Sequence, residues 1–355
     1  MKLKLPCSAL LLCLAAPALA MDAPQVANAK IETASAAAGL EAAVRQAEGR
    51  GREPFWAAWT VPMVAGQRYN CCWSHNGDFK NIKTTACHLE GKNQSWGSTD
   101  DVKVPPDQDL LVLVRLQDRK IGRILAFSAA CPLDADGRRF VWLGAAKPEE
   151  SVALLAKTAE SGSKVSEEAL SALSYHRNAR ADDVLEAMAS APKPQKLRED
   201  ALFWLGQNRG ERGARFLGRI IGGATGADPD GEIRKKAIFS LSQSKASGAG
   251  DAIIQASRED QSGDVRGEAL FWLAQMNDPR APEAILHAIE KEREMEVRKK
   301  GVFALSQLSG GRGVPLLVRL GQESQSREVR KEALFWLAQS DDPAALKYLD
   351  KVLNE

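Results

Sequence analysis

The chain has 355 residues, 44% of them hydrophobic, and its 48 basic residues nearly balance its 46 acidic ones. A nucleic-acid binder carries a basic excess to neutralise phosphates, so this balance argues against that class and against steering of ligands by net charge. The length exceeds one small core but does not fix the number of domains, because stacked repeats need no single core.

The first 20 residues contain Lys2 and Lys4, an apolar run from Leu10 to Ala16, and Ala18-Leu19-Ala20. These are the three zones of a secretory signal peptide, which predicts cleavage after Ala20 and a periplasmic or secreted protein. Pro6 and Leu12 precede Cys7 and Cys13, where lipoprotein processing requires a small residue. Cleavage also removes two lysines and leaves 46 basic against 46 acidic residues. No later segment approaches about 18 uninterrupted apolar residues, so no membrane span is expected. Residues 21–54 are weakly specified, with a short strand around Ile31 and a helix from Gly39 to Glu48.

From 55 to 146 the pattern changes to short apolar and β-branched runs: Trp59–Val64, Arg68–Trp73, Leu110–Leu116, Ile121–Ser128 and Phe140–Leu143. Asn76-Gly77 and Pro105-Pro106-Asp107 mark turns between them. The expectation is a small, mostly antiparallel β domain. It holds Cys71, Cys72, Cys87 and Cys131, all the cysteines of the mature chain. An even number in an exported protein reads as two disulfides. Adjacent strand residues point to opposite faces, so Cys71 and Cys72 are each expected to pair with Cys87 or Cys131, in an order left open. His75 and His88 lie near the cysteines, which keeps a thiolate metal or redox-sensing site as the alternative reading. The spacing matches no familiar metal knuckle, and no resident metal or cofactor is expected.

Residues 147–355 repeat. RGEALFWLAQ, Arg266 to Gln275, recurs as RKEALFWLAQ, Arg330 to Gln339, and diverged copies begin at Arg198, Arg234 and Arg298. The marker arginines are spaced by 36, 32, 32 and 32 residues, within the range of helical solenoids. A weaker copy begins at Ser166, with Glu149 and Glu150 expected to cap the first repeat helix. Each repeat supplies a first helix, a turn and a second helix that starts near the arginine. Pro343 to Leu353 is expected to cap the end of the stack. The recurrent Val265-Arg266, Ala269-Leu270 and Leu273 resemble the HEAT-like helical repeats, in the short version associated with phycobilisome lyases. The fold class is therefore α+β: an all-α HEAT-like solenoid of about six helix pairs behind a small disulfide-stapled β domain.

With the marker arginine as position zero and about 100° per residue, positions three, four and seven share the core side. Positions five and nine fall opposite. They hold Phe203, Phe239, Phe271, Phe303 and Phe335, and Gln207, Gln243, Gln275, Gln307 and Gln339. On the concave side of a HEAT-like stack these would form ladders able to hold an extended peptide, since a glutamine amide offers a donor and an acceptor to a peptide unit. The series is similar to the Trp-x-x-x-Asn arrays of armadillo-repeat import receptors, with Phe and Gln in their place. The competing reading wedges the aromatics between repeats and uses the glutamines to cap helix-end carbonyls. Trp204, Trp272 and Trp336 at position six alternate with Ser240 and Ala304, which favours packing for the tryptophans. The arginines and the acids Glu232, Asp264, Glu296 and Glu328 are expected to be structural.

The four histidines are at 75, 88, 176 and 287, and none is followed by glutamate, unlike the metal motifs of HEAT-repeat hydroxylases. No Gly-x-Ser-x-Gly, phosphate loop or dinucleotide fingerprint occurs, so no catalytic residue is expected. The sequence points to an exported scaffold that binds a protein or peptide. The other readings are a redox- or metal-responsive sensor in the β domain and a lyase- or chaperone-like enzyme.

Overall fold

The computed structural model describes residues 23–47, 53–65, 69–74, 83–91, 96–99, 109–223 and 228–354. The expected signal peptide and the two marked turns lie outside them. The N-terminal part comprises β1 (Val26–Ala27), β2 (Lys30–Thr33), α1 (Leu40–Ala47), β3 (Phe55–Pro62), β4 (Tyr69–Ser74), β5 (Lys83–Thr84) and β6 (Cys87–His88). There follow β7 (Trp96–Thr99), β8 (Asp109–Gln117), β9 (Lys120–Ser128), β10 (Leu133–Asp134) and β11 (Arg139–Ala145).

A five-stranded sheet runs in the order β2-β11-β3-β8-β9. The expected antiparallel pairing holds for β3 with β8, β8 with β9, and β4 with β5 and β7. The β domain as a whole is mixed, however, because β11 lies parallel to both β2 and β3, and β1, β10 and β6 form a parallel trio. Local alternation reports which faces are buried and carries no information on the direction of a distant neighbour. β3 and β8 are central and covered on both faces, which is why FWAAWTVP and LLVLV read as continuous apolar runs. One face, with Phe55, Ala57, Trp59, Leu110, Val112 and Val114, joins the core of the helices. The other, with Trp56, Ala58, Leu111, Leu113, Phe127, Phe140 and Trp142, packs on the four cysteines.

Thirteen helices follow among the described residues: α2 (Pro148–Ala159), α3 (Ser166–Ser174), α4 (Ala179–Ala189), α5 (Gln195–Asn208), α6 (Gly210–Ile221), α7 (Glu232–Ser242) and α8 (Ala249–Glu259), then α9 (Gly263–Gln275), α10 (Ala281–Lys291), α11 (Met295–Ser306), α12 (Val314–Glu323), α13 (Arg327–Ala338) and α14 (Pro343–Asn354). They form six pairs, α2/α3 to α12/α13, with α14 left over. Gly310 and Gly311, at φ 67° and 68°, make the left-handed break between α11 and α12 that other residues adopt only with strain. Successive second helices, α3, α5, α7, α9, α11 and α13, pack closely on one another, whereas first helices touch more loosely. The second helices therefore take the inside of the curve. The sheet packs against α2 and α3 and covers the N-terminal end of the stack.

Two capping expectations change. Glu150 sits in the first turn of α2, but its carboxylate accepts from the Leu40 amide at 2.7 Å and so caps α1. That bond, with Lys147 beside it, holds the Glu150 carboxyl below its ordinary range. Glu149 instead accepts from Asn178 at 2.8 Å, ahead of α4. At the other end α14 buries Ala345 and Tyr348, yet leaves Leu346, Val352 and Leu353 exposed.

Candidate functional site

Ala269, Leu270 and Leu273 and their counterparts are buried, save the half-buried Leu334, which fixes the opposite side of each second helix toward the inner surface. The marker arginines hold that orientation. Arg198 donates to the Ala189 carbonyl, Arg234 to Asp228, Arg266 to Asp260, Arg298 to Ile289 and Arg330 to Ser324. Most of these carbonyls lie at the C-terminal end of the preceding first helix, where a cation satisfies orphan acceptors and opposes the dipole. Arg234 also pairs with Asp260 at 2.8 Å, and Arg266 with Glu292 at 2.7 Å. The expected structural role of the arginines thus has a concrete form. Glu232, Asp264, Glu296 and Glu328 all fall in the first turns of second helices, also as expected.

On the inner surface the five phenylalanines are not isolated rungs. Phe203 stacks on Phe239 with centroids 6.2 Å apart and 12° between planes, and Phe271 on Phe303 at 6.0 Å and 7°. The gap between these pairs is bridged by tryptophan: Phe239 meets Trp272 at 4.8 Å, and Trp272 meets Phe271 at 5.0 Å. Phe303 meets Trp336 at 4.8 Å, Trp336 meets Phe335 at 5.1 Å, and Tyr175 meets Trp204 at 6.4 Å, beside Phe203. The result is one continuous aromatic ladder from Tyr175 to Phe335. Four of the phenylalanines are half-buried, and Phe335 at the end is 53% exposed.

Alternation at position six produces this arrangement. Where position six is Ser240 or Ala304, the phenylalanine lies flat on that of the preceding repeat; where it is tryptophan, the indole fills the space instead. Position two alternates in step: Asp200, Glu268 and Glu332 accompany the tryptophans, Lys236 and Lys300 the small residues. The Trp272 indole donates to Glu268 at 2.6 Å, and that of Trp336 to Glu332 at 2.8 Å. The Lys236 ammonium sits 4.7 Å from the Phe239 centroid and 5.7 Å from that of Phe203. Sequence reasoning took the tryptophans as packing residues and missed their place in the ladder, together with Tyr175 and Lys236. The available signal was the Glu-x-x-x-Trp spacing, which puts both side chains on one helix face. Phe271→Ala is expected to cost about 1–2 kcal/mol, with a coupling to Phe303→Ala of roughly 1 kcal/mol. A urea-denaturation double-mutant cycle measures it; strictly additive losses would contradict the ring contact.

All five glutamines are exposed. They do not cap helix ends through their side chains where a bond is seen: Gln243 donates to Ser242 at 3.1 Å and Gln307 to Ser306 at 3.0 Å. The inner surface therefore carries a row of exposed amides beside half-buried rings.

In the β domain, Cys71 is bonded to Cys131 and Cys72 to Cys87, which settles the open pairing. A thiolate metal site needs the sulfurs that these bonds consume. His75 lies outside the described residues. His88 is exposed, 2.8 Å from Asp136, whose hydrogen bond outweighs desolvation and raises the imidazole above its ordinary range. His176 is fully buried where β3 meets the helices. Its Nδ1–H donates to the Ala172 carbonyl at 2.9 Å, and Nε2 accepts from the Ser151 hydroxyl at 2.8 Å. Ser151 in turn accepts from the Trp59 indole at 2.9 Å. This serine–histidine pair is sealed from solvent and serves as a joint between sheet and solenoid. Burial holds His176 far below its usual range, at about 4.

Residues 250–334 match the profile of the HEAT repeats. No curated protein matches the chain. Among solved structures, it is similar to the CpcE–CpcF complex of phycocyanin lyase from Nostoc sp. PCC7120, with 20% identity, TM-score 0.31, and coverage of 57% of this chain and 86% of that one. Human deoxyhypusine hydroxylase in complex with glycerol gives 17% identity, TM-score 0.25, and coverage of 53% and 83%. A computationally designed self-assembling cyclic homooligomer gives 12% identity, TM-score 0.17, and coverage of 58% and 82%. The HEAT match and the six helix pairs around it identify the C-terminal part of this chain as a HEAT-like helical-repeat array.

Proposed function

We propose that this chain is an exported scaffold that binds a protein or peptide along the inner face of its solenoid, through Phe203, Phe239, Phe271, Phe303 and Phe335 and Gln207, Gln243, Gln275, Gln307 and Gln339. The observation that carries this reading is the row of exposed glutamine amides running beside a continuous aromatic ladder. A ladder only for packing would not require an exposed amide beside each ring, whereas an extended chain can pair with the amides and rest side chains on the ring edges. Two buried disulfides support export, since such bonds persist in oxidising compartments. The motifs and the buried serine–histidine joint give no support to an enzyme, and the chain's own residues require no cofactor for this role. Among the described residues no helix is long and apolar enough to cross a membrane.

The reading predicts where a partner touches. A photo-crosslinking amino acid at exposed Gln275 on α9 is expected to trap a discrete partner in the source cells, and the same group at exposed His287 on α10 is not. Equal crosslinking from both positions, or none from Gln275, would remove the inner face from the proposal.

A further inference from the structure

Exposed large hydrophobic residues concentrate on α13 and α14. Of the five large hydrophobic residues exposed among those described, Phe335, Leu346, Val352 and Leu353 lie on α13 and α14. The same helical sequence appears one double repeat earlier in a covered state. α9 and α13 share all but one residue of their ten-residue motif, and α10 and α14 both follow an Asp-Pro turn.

Position by position, the difference is the neighbour. On α9, Leu270 is 1% and Ala274 2% exposed, while their equivalents Leu334 and Ala338 are half-buried and exposed. On α10, Ile289 is 0% exposed, and its equivalent Leu353 is 84% exposed. What covers the earlier pair is α11. A Cβ added at its Gly301 would come within 2.6 Å of Ile289 and 3.3 Å of Leu270, so α11 crosses the α9–α10 groove at that glycine. Phe303 then stacks on Phe271, and Lys300 pairs with Asp264 of α9 at 2.7 Å. The α13–α14 groove offers the counterparts of all these contacts: Leu353 and Leu334 for the crossing, Phe335 for the ring, and exposed Glu328 for the lysine.

We infer that the α13–α14 groove docks an amphipathic helix of a partner protein, of the class that α11 exemplifies. That helix presents a glycine at the crossing point, a lysine immediately before it, and a phenylalanine two residues after. Within this chain a tryptophan-type second helix is followed by an Arg-Lys-Lys type each time, α5 by α7 and α9 by α11. The site is separate from the glutamine row, and its occupancy does not depend on the inner-face proposal.

The test uses the full chain and a fluorescent peptide with the sequence of residues 292–308, followed by anisotropy. Saturable one-to-one binding is expected. Leu353→Asp, at an exposed position where folding is not at stake, should weaken it at least about tenfold, as loss of one buried leucine contact implies. A peptide with Phe303→Ser should bind comparably poorly. Glu328→Lys should weaken the wild-type peptide and regain binding with a Lys300→Glu peptide. No binding, or binding unchanged in the Leu353→Asp protein, overturns the inference. So does sedimentation showing a dimer that Leu353→Asp dissociates, because the occupant would then be a second copy. Gln275→Glu should leave peptide binding unaltered, which separates failure here from failure of the inner-face reading.

Discussion

Replacing Cys71 and Cys131 together by serine is expected to lower the stability of the β domain by about 4 kcal/mol, and replacing Cys72 and Cys87 by about 3 kcal/mol. The difference follows from the chain each bond closes, 60 residues in the first case and 15 in the second, since a longer loop loses more entropy in the unfolded state. Both bonds lie in the cluster on the outer face of the sheet, with Trp56, Leu111, Leu113, Phe127, Phe140 and Trp142. The solenoid core lies on the other face. Loss of the bonds should therefore separate unfolding into two transitions, an early one in near-ultraviolet signal and a later one in helical signal. Urea titration of the two double variants, read at both wavelengths, checks this. Equal losses for the two pairs, or an unchanged first midpoint, would contradict it.

Acid should weaken the joint between sheet and solenoid. His176 is neutral in the folded protein because burial disfavours the charged imidazole, and its value falls from 6.5 to about 4. The unfolded chain therefore binds a proton that the folded one refuses. Stability from this residue is complete above pH 6.5, declines as pH falls toward about 4, and declines no further below that point. The full difference is on the order of 3 kcal/mol. Protonation would put a proton on Nε2, where the Ser151 hydroxyl now donates, and add a positive charge beside Arg209, which donates to the His176 carbonyl at 2.8 Å. In His176→Gln this dependence should be absent, whatever the variant costs at neutral pH. The informative quantity is the wild-type minus variant stability between pH 7 and pH 4.5; a flat difference would contradict the linkage.

Much of the solenoid was legible because its information is local. Arginine spacing gave the period, and Ala269, Leu270 and Leu273 gave the buried stripe by angle alone. The same angles placed the glutamines in solvent. They did not reveal the ring contacts, because whether Phe239 lies on Phe203 or on Trp272 depends on position six of the adjacent repeat. Packing and exposure, posed as alternatives for the phenylalanines, prove to coexist: the rings stack between repeats and keep an open edge. In the β domain the strands were readable from apolar runs, but parallel pairing of β11 with β2 and β3 was not, since those partners are remote in sequence. The joint at His176 joins Trp59, Ser151 and Ala172 from three elements, and a lone histidine in sequence carries no mark of it.

Exposed side chains on the inner face can be changed without disturbing the stacked rings. A variant with Gln243→Glu, Gln275→Glu and Gln307→Glu should unfold at the wild-type midpoint, because all three side chains are exposed. Affinity capture from the source cell envelope, with wild-type and variant chains side by side and quantified by mass spectrometry, is then the direct measurement. Loss of the specific partner from an equally stable variant is the result expected; recovery of the same partner in the same amount would contradict binding through the glutamine row.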